Sequence, residues 1–188
     1  MNLLNLFPML ALPLAMSCSK VVMTTAAILG ATSPMDADPQ GFEVAVTLPS
    51  ATGVQNDGAH FIVGMENAQL DESFERTFIL QQSETRDGKI LFRVNPDDLD
   101  ELRALQAKAK AWEMADPVAS SGSISVFVSP CAIGDGPNLD DTFSVAMRTQ
   151  VDGAFLPLIR GASIEDVVNA LESENPQEDL KRLPQCKS

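Results

Sequence analysis

The side chains with the most chemistry to offer in this chain are three cysteines and a single histidine. Cys131 and Cys186 form an even pair once Cys18, which stands in an apolar leader, is set aside. A disulfide between them would close a loop of about 54 residues, worth about 4 kcal/mol in the chain-entropy treatment. It would also hold a polar tail whose main apolar residues, Leu180 and Leu183, cannot offset the entropy of ordering its backbone. There is no CxxC and no Cys/His spacing, so neither a zinc site nor a thioredoxin-like motif is available. Any Ser-His-Asp or Cys-His arrangement would have to use His60, which opens a strand-like run beside Phe61, and no GxSxG elbow accompanies it. No catalytic residue, no cofactor-binding residue and no cofactor is therefore assigned. One loop, 134–141, gathers hard oxygens of the kind calcium prefers. Asp135, Asn138, Asp140 and Asp141 are its candidate metal ligands, although the same residue types also make plain turns.

Charge narrows the partners. The chain carries 26 acidic and 13 basic residues, a net charge of −13. Such a surface repels phosphate backbones and anionic lipid headgroups, so nucleic acid is not an expected partner and the membrane is expected only through the N-terminal segment. No P-loop and no GxGxxG supports nucleotide binding. Sugar recognition usually rests on aromatic platforms, and the chain has no tyrosine and one tryptophan.

The elements that would position these residues read as short strands around one helix. Phe42, Val44, Val46 and Leu48 alternate with polar or small residues, the period of a half-buried strand. A turn cluster, Asn56-Asp57-Gly58, separates this from a run over 60–65. Residues 74–82 form a third strand, and Asp87-Gly88 marks a hairpin into 90–94. Asn95 is a good N-cap and Pro96 suits the first helical position. Leu99, Leu102, Leu105, Ala109 and Trp112 then fall at spacings of three and four, which predicts an amphipathic helix over about 96–115, ended by Asp116-Pro117. Further strands are expected over 123–128 and 143–149, with an edge strand over 155–159 because Pro157 interrupts it. Ser163 with Asp166 three residues on predicts the start of a short C-terminal helix. The fold class is mainly β with an inserted helix: an antiparallel sandwich or open barrel covered by that helix.

The start of the chain looks like a targeting segment. Residues 3–31 hold no acidic residue and one basic residue, Lys20. Ala15-Met16-Ser17-Cys18 places small residues where signal peptidase needs them, and it resembles a degenerate bacterial lipobox, which makes Cys18 a candidate for lipidation. Cleavage near Cys18, cleavage after 21–31, and an uncleaved anchor all remain open. The expected organisation is an export signal or membrane anchor over 1–33, a linker over 34–41, one globular β-rich domain over 42–172 and a polar tail over 173–188.

An apolar leader, one β-rich domain and a late cysteine pair together resemble the small uncharacterised envelope proteins and lipoproteins of bacteria. That resemblance implies a location, exported to the periplasm or envelope, more than an activity. With no catalytic constellation in view, the expected function is a non-enzymatic envelope protein, a scaffold or a module that binds an envelope protein partner by strand addition at an exposed sheet edge such as 155–159. The alternative is a periplasmic module for a small ligand or cation, held between helix and sheet, and an enzyme of unknown type ranks third.

Overall fold

The computed structural model describes residues 36–166 and 175–187. The leader, Cys18 and all but the first turn of the helix expected after Ser163 lie outside the described residues. The strands are β1 (Glu43–Thr47), β2 (Thr52–Asn67), β3 (Glu72–Arg86), β4 (Lys89–Val94), β5 (Ser120–Ala132), β6 (Thr142–Arg148) and β7 (Leu156–Ser163). Helix α1 (Leu99–Ala115) follows a 3-10 turn over Pro96–Asp98, and α2 (Pro176–Lys181) lies within the tail. No helix among the described residues is long and apolar enough to cross a membrane.

All seven strands join one antiparallel sheet in the order β5-β2-β3-β4-β1-β6-β7. The sheet curls into a half-barrel. Of the two expected architectures the open barrel therefore forms, and among the described residues no second sheet stacks on it as a sandwich would require. The curl goes with β3, which pairs with β2 over Glu72–Ile79 and with β4 over Leu80–Arg86. β2 lies on one edge of β3 and β4 on the other, paired to different halves of it, and a stagger of this kind accompanies the curling of a sheet toward a barrel. At the β3–β4 hairpin Asp87 and Gly88 take φ of 50° and 73°, as a two-residue turn with twist-matched strands demands.

One local expectation is corrected. Asn56-Asp57-Gly58 does not separate two strands but lies inside the continuous β2. Both flanks pair with β5, and the register steps from Val54↔Pro130 to Ala59↔Val128. The turn chemistry is real, since Asp57 has φ of 53°. It is spent on a bulge because β5 offers pairing on both sides of it.

The concave face holds the core. Phe42, Val44 and Val46 of the first strand region meet Phe61, Val63, Phe78, Leu80, Phe92 and Val94, and Leu102 of α1 closes over them. Trp112 and Ala109 make a second contact with Met65 and Phe74 at the far end of the helix. Of the predicted stripe Leu102, Ala109 and Trp112 are buried and Leu99 and Leu105 half-buried, with one addition: Gln106 is also buried and donates from Nε2 to the Ala37 carbonyl at 2.9 Å. The Asn95 side chain accepts from the Asp97 N–H at 3.1 Å. At the other end Asp116 Oδ1 takes the N–H groups of Val118 and Ala119, both at 3.0 Å.

Helix α1 is also tied to the segment preceding β1. Lys110 meets Asp36 at 2.7 Å, and Arg103 meets Asp38 at 3.0 Å. The Gln40 N–H, followed by the Arg103 guanidinium, holds the Asp38 carboxyl below the usual carboxylate range. A lowered carboxylate pKa stabilises the fold above the unfolded value of about 3.9, and that contribution is lost as pH falls through the lower folded value. The urea midpoint of wild type should therefore exceed that of Asp38→Asn at neutral pH, and the two should converge as pH falls below 4. Curves that stay separated at the lowest pH would contradict this role for Asp38.

Candidate functional site

Cys131 and Cys186 are joined, with their Cα atoms 5.0 Å apart. Cys131 is buried at the end of β5, and the bridge brings the tail alongside that strand. The Ala132 N–H donates to the Pro184 carbonyl at 2.8 Å, and the Cys186 N–H donates to the Ala132 carbonyl at 2.9 Å. Gly53 leaves the space this needs, because a Cβ there would sit 2.8 Å from the Cys186 sulfur. The sequence made the pair legible through its even count, but the strand-like docking of the tail has no sequence signal.

The candidate metal ligands do not converge. Asp141 Oδ2 accepts from the Asn138 N–H at 2.8 Å, and the carbonyls of Leu139 and Asp141 accept from Glu165 and Ile164, both at 2.9 Å. The loop's oxygens thus close its own turn and receive the turn that follows β7. Among the described residues no three His, Cys, Asp or Glu side chains gather as metal ligands. His60 stands on the convex face, its Nε2 2.8 Å from the Asp57 carbonyl and its ring stacked 6.3 Å from Phe127. Trp112 lies against Phe74 with ring centroids 5.6 Å apart, and Lys108 caps both rings. Around Trp112 the helix and the sheet pack directly, Ala109 and Trp112 against Met65 and Phe74.

One buried charge was missed by the sequence reading. Glu43 is only 2% exposed, and its carboxylate meets Arg93 and Arg148, each at 2.6 Å. The three residues stand in register on β4, β1 and β6, and Arg148 also lies over Phe155 at 5.0 Å. Glu43 directly follows Phe42 in an alternating strand, so its sequence position reads as a solvated face. Only the pairing of three strands reveals the two arginines.

The convex face carries a shallow trough of about 320 Å³ across β5, β2 and β3. Its floor is backbone, open because Gly64 has no side chain on this face, and its walls are Glu66, Glu75 and Ser73, Ser121 and Ser123. Such a wall can hydrogen-bond hydroxyls and attract amines.

The two outer edges of the sheet differ sharply. β7 carries Pro157, an exposed Arg160, Gly161 at φ of 55° and two register steps against β6. These are the devices that keep an edge from pairing. β5 has thirteen residues with no charge and one proline near its end. The edge expected over 155–159 is therefore real but guarded, and among the described residues β5 is the open one. The sequence hid the length of β5 because serines, which carry little strand signal, fill its first half.

No family model matches the chain, and no curated protein or solved structure is significantly similar to it.

Replacing Cys186 with serine should lower the unfolding free energy by about 4 kcal/mol, the chain-entropy value for a loop of this size. It should also release the amides near residue 186 to fast hydrogen exchange. Unchanged stability and unchanged exchange would show that the tail docks without its tether.

Proposed function

We propose that the protein is an exported, non-enzymatic envelope protein that works as a scaffold or protein-binding module, with β5 as its contact edge. The observation that carries this reading is the unguarded edge beside a guarded one. Ala119 accepts from β2's neighbour Ala68, and the Ile133 N–H turns to Ala51, whereas both backbone groups of Ala132 turn outward to the tail. Backbone direction alternates along a strand. Gly122, Ile124, Val126 and Val128 therefore aim their N–H and C=O groups away from β2, and no described strand pairs with them. Main-chain bonds of this kind supply affinity in strand addition, and alternate side chains supply selectivity. The export half of the reading rests on the apolar leader and on a cysteine pair suited to an oxidising compartment.

The trough favours a second reading, a small polyol or amine held by Glu66, Glu75 and the serines. It differs from the first in needing the convex face rather than the edge.

Val126→Pro removes an outward N–H and leaves the ladder to β2 intact, a substitution that edge strands tolerate. Crosslinked pull-downs from a membrane fraction should recover a protein with wild type and lose it with Val126→Pro. The same recovered set from both would contradict edge binding. Mass spectrometry of the native protein should show an N-terminus beyond Met1, and an intact Met1 in a cytosolic fraction would overturn export.

A further inference from the structure

We infer that the strand which pairs with β5 is β5 of a second copy of this chain, in an antiparallel dimer whose two-fold axis passes through Ser125. This rests on the reading of β5 as a pairing edge and names its occupant.

Three observations converge on a second copy. First, no residue from Ser120 to Ala132 is charged, in a chain of net charge −13. Nothing along the strand selects a charged partner, and nothing on it repels a copy of itself. Second, the core is unfinished at this edge. Ile124, Val126 and Val128 face the core cluster but are only half-buried, whereas Phe61 and Val63 on the neighbouring strand are fully buried. An added strand must bring apolar residues to the concave side and tolerate Phe127, 56% exposed, on the convex side. The alternation of β5 itself meets both demands. Third, a two-fold axis normal to the sheet keeps concave with concave and convex with convex, so one strand serves as its own complement.

The available window fixes the register. By the same alternation outward backbone positions run from Ser120 to Pro130, and the tail occupies the edge at Ala132. The midpoint of that window is Ser125. Pairing about it sets Ile124 against Val126 of the second copy and Gly122 against Val128. On the convex side it sets Phe127 against Ser123, a large side chain over a small one. The two Ser125 residues become a non-hydrogen-bonded pair, whose Cα atoms lie about 4.5 Å apart in antiparallel sheets. That spacing is inside the range a disulfide needs, about 4.4–6.8 Å.

The test uses the purified full chain in mild detergent, in a Cys18→Ser background. Wild type should sediment as a dimer, and Ser125→Cys should form a disulfide-linked dimer under mild oxidation far faster than Ser123→Cys. Ser125→Glu places like charges directly opposite each other and should weaken the dimer at least tenfold, with an unchanged circular dichroism spectrum. A monomer at about 100 µM, a dimer indifferent to Ser125→Glu, or equal crosslinking at 125 and 123 would overturn the inference. If the chain is monomeric while Val126→Pro still loses a captured protein, the edge reading stands and self-pairing is wrong. If neither dimer nor capture responds to changes on β5, both fall.

Discussion

β3 is shared between two neighbours along its length, and the rest of the molecule depends on this stagger, which goes with the curl of the sheet. Its first half belongs with β2 and its second with β4. The surface that results wraps one helix. Leu102 is buried in the concavity, and Trp112 closes one end of it against Phe74 and Met65. Seven strands curled in this way do not complete a barrel, so two edges remain. Closure is the only arrangement that abolishes edges altogether, and a sheet that stops short must guard them or use them.

The chain does both. Pro157, Arg160 and the register steps against β6 spoil β7 as a template. Among the described residues only the last ones of β5 are covered, by a tail held through Cys186. The disulfide thus does more than restrict the unfolded chain. It sets where the free part of the edge ends, and Gly53 is the residue that makes room for it. At the centre of the sheet, Glu43 between Arg93 and Arg148 fixes how β4, β1 and β6 line up, because a one-residue slip would leave a buried carboxylate without its cations.

Much of this was legible in local patterns. The helix was the clearest case, since Asn95, Pro96 and the Leu99 to Trp112 stripe agree on start, face and length. The Asp87-Gly88 hairpin and the cysteine pair were equally plain, because each is decided by a few neighbouring residues or by a count. What stayed hidden depends on partners distant in sequence. Asn56-Asp57-Gly58 has the composition of a turn and becomes a bulge only because β5 pairs on both sides of it. Glu43 looks like a solvated residue until two other strands supply arginines. Serines 120, 121, 123 and 125 carry little strand preference of their own, yet the long ladder to β2 makes them the open edge.

Residue-resolved hydrogen exchange on dilute protein tests the openness of β5 most directly. The amides of Gly122, Ile124, Val126 and Val128 should exchange fast while those of Ser123, Ser125 and Phe127 are protected by β2, and the fast set should slow as concentration rises. Uniform protection of all seven amides at the lowest concentration would mean that the edge is already covered within one chain, and would contradict the account.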